Sequence, residues 1–316
     1  MPQKNQTPGL PPRPVRGNIL RTPHKLPDIL NIANLTTGGS AKSRVSGRQR
    51  SRPGKGALES FRVGVTTVLT TKRTAEISMA SDGEVLLHKH TRREFRQRMQ
   101  SGQLRGCIIP VAATEQHLEH LAMEHDWRSV MLIATEVAKR LAPRVLVAPS
   151  MNIGISEHHM RHPGTLSAMP GSWLGVLHDT IRSMHHAGFQ NILVLNGHGG
   201  NIAPCEGIWG QFQQRFEINL QFHSYWEFLP ESLAKAHLKT GRFPGHAQEF
   251  ETAFALAAFP ENVRPDAMAD QADKEPLQAT AEAGRALIAA IVEETARHME
   301  GMLDGTNVAP IPPFHP

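Results

Sequence analysis

The chain has 316 residues, 40% of them hydrophobic and 20% charged, with a formal net charge of +5. These proportions describe a globular protein able to bury a sizeable core, and they exclude a fibrous or wholly disordered chain. No run approaches the roughly 18 apolar residues needed to span a bilayer, and the N-terminus lacks the apolar core of a secretory signal. Two cysteines, Cys107 and Cys205, form no disulfide framework and fit a reducing, cytoplasmic setting.

Charge is distributed unevenly. Residues 1–85 hold 14 Lys and Arg against 5 Asp and Glu, whereas the rest holds 20 against 24. The basic surplus therefore belongs to a leader, and residues 86–316, mildly acidic, carry no nucleic-acid footprint. From Met1 to about Lys55 the leader is rich in Pro, Gly, Ser and Arg, a composition that predicts disorder. A strand or hairpin is expected at most over 61–80.

Beyond residue 85 the periodicity alternates between strand and helix. A basic helix over 91–101, carrying Arg92, Arg93, Arg96 and Arg98, leads to a buried apolar strand over 107–113. Helical spacing follows over 127–141, then a second strand over 145–149. A helix over 171–188 precedes a strand over 191–195. A helix over 202–215 precedes a fourth strand near 219–223, and a further apolar helix is expected over 253–259. This order predicts an α/β domain with a mostly parallel sheet flanked by helices, and with ligands gathered at the carboxyl ends of strands.

The chemically rich segments fall at those ends. After the first strand, seven of the twelve residues from Glu115 to Asp126 are His, Glu or Asp. In extended chain, Glu115 and His117 point the same way. A second segment runs from Asn152 to Ser167 and includes His158, His159 and His162. The third is Asn196-Gly197-His198-Gly199-Gly200-Asn201, which has neither a Walker lysine nor the dinucleotide glycine spacing. The fourth runs from His246 to Thr252 and holds Glu249 and Glu251. Carboxylates and imidazoles without thiolates suit Zn²⁺, Mn²⁺ or Fe²⁺, and five such groups are more than one catalytic ion requires. Two ions sharing a carboxylate are the natural expectation.

These four segments, in this order, resemble the motifs of the creatininase (creatinine amidohydrolase) superfamily: Glu-x-His with a later Asp, Gly-x-Ser…His…Pro-Gly-Thr, Asn-Gly-His-Gly-Gly-Asn, and a final His-Ala…Glu-Thr. The resemblance covers roughly residues 90–265 and implies a compact α/β metallohydrolase, commonly hexameric. It implies Glu115, His117, Asp126 and His198 as metal ligands, with Asp126 bridging. Glu249 matches the position of the last ligand, and Glu251 is the near alternative. His246 matches the proton-handling residue. The expected reaction is hydrolysis of an amide, cyclic amide or related C–N acyl bond of a small molecule by metal-bound hydroxide. His159 is expected to line the pocket, and the N–H groups of Gly199 and Gly200 to face the developing oxyanion.

The chain also departs from its relatives. Leu118-Glu119-His120-Leu121-Ala122 replaces a common Gly-Pro-His-Leu-Pro, Gly200 stands where creatininase has Glu, His162 replaces an aromatic residue, and Gln248 a glycine. These changes argue against creatinine as substrate. The alternatives are a lactone, sugar-derived or peptide-end hydrolase on the same site, and, in another class, a non-catalytic metal-binding assembly protein.

Overall fold

The computed structural model describes residues 83–313, all within the unit spanning 59–316. Of the leader expected over 1–85, residues 1–82, with the expected disorder and the expected strand over 61–80, lie outside the described residues. Residues 83–85 already belong to the folded body. Val85 is buried, its carbonyl accepts the N–H of Val147, and Leu86 bridges to the same residue.

The described elements run α1 (Arg92–Gln100), β1 (Gly106–Val111), α2 (His125–Arg140), β2 (Val145–Val147), α3 (Pro170–His186) and β3 (Asn191–Asn196). They continue with α4 (Ile202–Glu206), α5 (Trp209–Phe216), β4 (Asn219–Ser224), α6 (Glu231–His237), α7 (Glu249–Ala258), α8 (Pro265–Asp270) and α9 (Ala281–Asp304). Each local choice has a cause. Thr91 caps α1 in a reciprocal capping box with Glu94, and Gly102 turns the chain away at φ 71°. Arg98, expected as part of a basic face, is instead buried, donating to the carbonyls of Glu84 and Pro143. The single helix expected over 202–215 is two, interrupted at Gly207 and Ile208.

The sheet has order β2-β1-β3-β4 and is parallel throughout. Alternate strand residues feed opposite faces. Ile108, Val145, Val147, Leu193 and Leu195 pack against α2, α7 and α9. Cys107, Ile109, Val111, Leu146, Ile192 and Val194 pack against α3 and α5. Burial on both faces explains why the strands read as continuous apolar runs. The chain winds from β1 outward to β2 and then back across to β3, so β1 and β3 flank the switch point of the sheet, where a crevice opens beyond their carboxyl ends. Among the described residues, no helix is long and apolar enough to cross a membrane.

Candidate active site

Glu115 and His117 leave the carboxyl end of β1 in a turn anchored by the Glu115 N–H on the Met123 carbonyl. Asp126 lies in the first turn of α2. His198 follows β3 in a loop braced by asparagines. Asn196 accepts the His198 N–H at 3.1 Å and donates to its carbonyl at 2.8 Å, and Asn201 donates to Asn196 Oδ1 at 3.1 Å. The glycine between them is required, because a Cβ at Gly197 would stand 2.9 Å from the Asp126 carbonyl.

These side chains converge in burial. Glu115, His117, Asp126, His198 and Glu251 are each at most 5% exposed. His117 Nε2 lies 2.9 Å from Asp126 Oδ1 and 3.8 Å from Glu251 Oε2. His198 Nδ1 lies 3.3 Å from Glu115 Oε1 and 3.2 Å from Asp126 Oδ2. Asp126 thus touches both imidazoles, one with each oxygen.

The expected last member behaves differently. Glu249 is buried, but its carboxylate accepts the backbone N–H groups of Lys239 and Thr240, each at 2.8 Å, away from the cluster. The carboxylate that the structure brings to His117 and Asp126 is Glu251. Helix geometry is the reason. α7 begins at Glu249, and two residues of helix turn a side chain by about 200°.

The cluster suits a cation. His117 Nδ1 is 3.0 Å from the Glu115 carbonyl, and His198 Nε2 is 3.2 Å from the Ile155 carbonyl and 3.1 Å from Ser156 Oγ. With their outer nitrogens hydrogen-bonded in this way, both rings turn their inner nitrogens toward carboxylates, the arrangement that orients metal-binding histidines. Glu115 Oε2 is buried and accepts no hydrogen bond, and Asp126 Oδ2, also buried, has the 3.2 Å contact with His198 Nδ1 without good hydrogen-bond geometry. Three triplets place ligand atoms within 4.8 Å of one another: Glu115, His117 and His246; Glu115, His158 and His198; and His117, Asp126 and Glu251.

Electrostatics shows how costly three crowded carboxylates are without such a charge. Burial, partly opposed by His117 and reinforced by Asp126, pushes Glu251 up to about 8. Burial acts to lower both imidazoles, yet Asp126 raises His117 to about 9, and Asp126 with Glu115 raises His198 to about 10. Burial works against ionised Asp126 as well, but His117 and His198 hold it well below the usual carboxylate range.

Glu115, Asp126, His198 and Glu251 line a cavity of about 360 Å³, together with His158, His159, Gly199, Gly200, Trp226 and His246. His159, Gly199, Gly200 and His246 all line this cavity. His246 Nδ1 is 3.7 Å from Glu115 Oε1. Burial, with the charge of His117, pushes His246 down to about 4, so its ring is neutral at neutral pH. A Cβ at Gly200 would overlap the Ile155 carbonyl and come within 3.0 Å of His158. The glutamate expected there in creatininase has no room.

Other residues of the opening segment are structural. His120 bonds Thr252 Oγ1 at 2.9 Å and Gln271 Oε1 at 3.1 Å, and Glu124 accepts from Asn262 and Arg128. His125 packs edge-on against Phe254 and Phe259. Cys205 is buried, and burial raises its thiol to about 12, which removes it as a nucleophile. Sequence reasoning missed Gln116, whose amide bridges His159 and His246 at 2.8 Å each. Standing between two ligand-type residues, it gave no signal of its own.

A family model described as creatininase, creatinine amidohydrolase, matches residues 88–278. A creatinine amidohydrolase of Pseudomonas putida is 29% identical over 205 residues, covering 59% of this chain and 76% of that enzyme. A 3-dehydro-scyllo-inosose hydrolase of Thermotoga maritima is 28% identical over 176 residues, covering 54% of this chain and 55% of that one. A mycofactocin precursor peptide peptidase of Mycobacterium tuberculosis is 33% identical over 109 residues, 31% of this chain and 41% of that one. Of the last two, the chain thus spans only about half the length. A manganese creatininase structure shares the fold with a TM-score of 0.61 at 22% identity, covering 70% of this chain and 99% of that one. A mutant creatininase of Zn-Zn type gives the same score over 70% and 98%. The chain belongs to the creatininase family of hydrolases.

Proposed function

We propose that the protein hydrolyses an amide, cyclic amide or related C–N acyl bond of a small molecule with two divalent metal ions, Zn²⁺ or Mn²⁺, held in the cluster. The observation that carries this reading is Asp126, buried between two imidazoles, with His117 on one oxygen and His198 on the other. Glu115, Asp126 and His198 would hold one ion, and His117, Asp126 and Glu251 the other. Glu251 replaces Glu249 in this assignment. When bound, such ions bring the pKa of water from 15.7 towards about 7 and polarise a carbonyl.

The chain's own groups supply the rest. Gly199 and Gly200 line the cavity without side chains, and their backbone N–H groups would serve the oxygen that gains charge. Trp226 and Pro244 add apolar lining that would limit the access of water. His246 faces the leaving nitrogen with a neutral ring. Water's oxygen ends on the acyl carbon, and its proton ends on the released nitrogen.

Creatinine is not the proposed substrate, because Gly200 cannot be replaced by the glutamate of creatininase without displacing Ile155 and His158. A sugar-derived cyclic carbonyl or a peptide end is the second reading, supported by the inosose hydrolase and peptide peptidase relatives. A panel of cyclic amides, linear amides, lactones, cyclic ketones and short peptides, assayed with zinc- or manganese-loaded protein, separates the readings. Turnover confined to C–N bonds and abolished by chelation is expected, and turnover of ketones or lactones alone rejects the first reading.

Self-association is part of the same proposal. Ile153 and Val176 are 48% and 56% exposed along an apolar groove also lined by Trp173. Light scattering on the purified protein is expected to give a hexamer's mass. A cytoplasmic location is proposed from the two buried free cysteines; cell fractionation tests it.

A further inference from the structure

Gln116 is half-buried beneath the cavity, between two rings that nearly stack. The His159 and His246 centroids are 4.3 Å apart at 21°. Its Oε1 accepts the backbone N–H of Leu118 at 2.9 Å. Its Nε2 lies 2.8 Å from His159 Nδ1 and 2.8 Å from His246 Nε2.

This arrangement admits one assignment of protons. A side-chain amide has one acceptor oxygen and one nitrogen with two hydrogens. Exchanging the two ends would set the amide N–H₂ against the Leu118 N–H, donor against donor, so the backbone fixes the amide's orientation. Both amide hydrogens then point at ring nitrogens, and both of those nitrogens must be bare acceptors. The ring protons are left on His159 Nε2 and His246 Nδ1. Those two nitrogens face one point, lying 3.8 and 3.7 Å from Glu115 Oε1.

We propose that Gln116 is a positioning residue that locks His159 and His246 as a pair of neutral N–H donors aimed at the reacting centre. The pair would bind a substrate oxygen or nitrogen that gains negative charge, as a neutral imidazole can do without becoming a base. His246 then acts by donating a hydrogen bond through Nδ1, not by taking a proton there. This sharpens the role given to His246 above and rests on that reading for its catalytic meaning, whereas the tautomers themselves do not.

The test is a long-range ¹H–¹⁵N correlation spectrum of the zinc-loaded protein with ¹⁵N-labelled histidine, assigned with His159→Gln and His246→Gln. The expected result is a proton on Nε2 alone of His159 and on Nδ1 alone of His246. Gln116→Glu replaces the donor with an acceptor, so both tautomers should reverse while zinc content stays unchanged. On the best amide of the panel, Gln116→Met should lower kcat about tenfold, less than the roughly 10²–10⁴-fold that a positioned proton-transfer group itself contributes, because the rings stay in place and lose only their orientation, with KM within about twofold. A wild-type spectrum with the opposite tautomers, with either ring doubly protonated, or unaltered by Gln116→Glu overturns the proposal. A panel with no turnover overturns the hydrolase reading and leaves the tautomer result standing.

Discussion

Glu249 and Glu251 stand two residues apart on the first turn of α7 and serve different neighbourhoods. Glu251 Oε2 lies 3.8 Å from His117 Nε2, whereas Glu249 accepts the N–H groups of Lys239 and Thr240 at the root of the strap carrying His246. Replacing them should therefore separate metal binding from stability. Glu251→Gln is expected to lower metal content to about one ion per chain with a small change in melting temperature. Glu249→Gln should keep full metal content and lose about 1–3 kcal/mol, the cost of a buried charged acceptor that no longer matches its donors. Elemental analysis paired with thermal unfolding reads both. Metal loss from Glu249→Gln and not from Glu251→Gln would reverse the assignment.

Protons and metal ions compete for the cluster. Without metal, His117 at about 9, His198 at about 10 and Glu251 at about 8 carry protons at neutral pH. Binding must expel them, so affinity should rise with pH through neutrality. Calorimetric zinc titrations in buffers of different ionisation enthalpy should show more than one proton released per chain at pH 7. Proton-neutral binding would contradict the assignment.

The same groups set the stability of metal-free protein. The two imidazoles are raised above their ordinary 6.5, so the stability they contribute is complete below about pH 6.5 and lost as pH rises through 9–10. The chelated protein should melt at progressively lower temperature across that window. The zinc-loaded protein, whose imidazoles are deprotonated in both limits, should not.

Leu118 adopts φ 54° in the left-handed region, which glycine enters most readily. The strain of a non-glycine residue there is about 1–2 kcal/mol. The side chain is 37% exposed and recovers little of it by packing. Leu118→Gly is expected to raise stability by about 0.5–1 kcal/mol, after the entropy cost of glycine. Urea unfolding of the zinc-loaded protein measures the difference, and a loss greater than about 1 kcal/mol would mean that Leu118 packs more than its exposure indicates.

What could be read from the chain followed from locality. The buried strands, and the segments at their carboxyl ends, announced themselves because apolar runs and ligand-type residues were contiguous. Glu115, His117 and His198 come from such runs. Glu251 was not separable from Glu249, because the choice depends on where α7 starts. The apolar pattern placed that start at Ala253, whereas the helix begins at Glu249. Gln116 acts through partners 43 and 130 residues away in sequence, a relation that no spacing rule reaches. α9 carries Leu287, Ile291, Thr295, Met299 and Met302 at helical spacing, a pattern present in the sequence and left unassigned. It packs tightly on α7 at Gly284, where a Cβ would overlap the Ala253 carbonyl.

That crossing can be tested directly. Gly284→Val must push α9 away from α7, and overpacking of this kind typically costs about 1–3 kcal/mol. Chemical denaturation should show that loss with metal stoichiometry unchanged, since Gly284 lies outside the cluster. An unchanged denaturation midpoint would mean that the two helices are not so close.

In the proposed site Asp126 would join two metal ions, one with His117 and one with His198. The most direct measurement is elemental analysis of purified protein beside its Asp126→Asn variant, with circular dichroism to establish that the variant is folded. Wild type should hold about two zinc or manganese ions per chain, and the folded variant about one or none. A wild-type protein with one ion or fewer after saturation, or a variant that keeps both, would contradict the account.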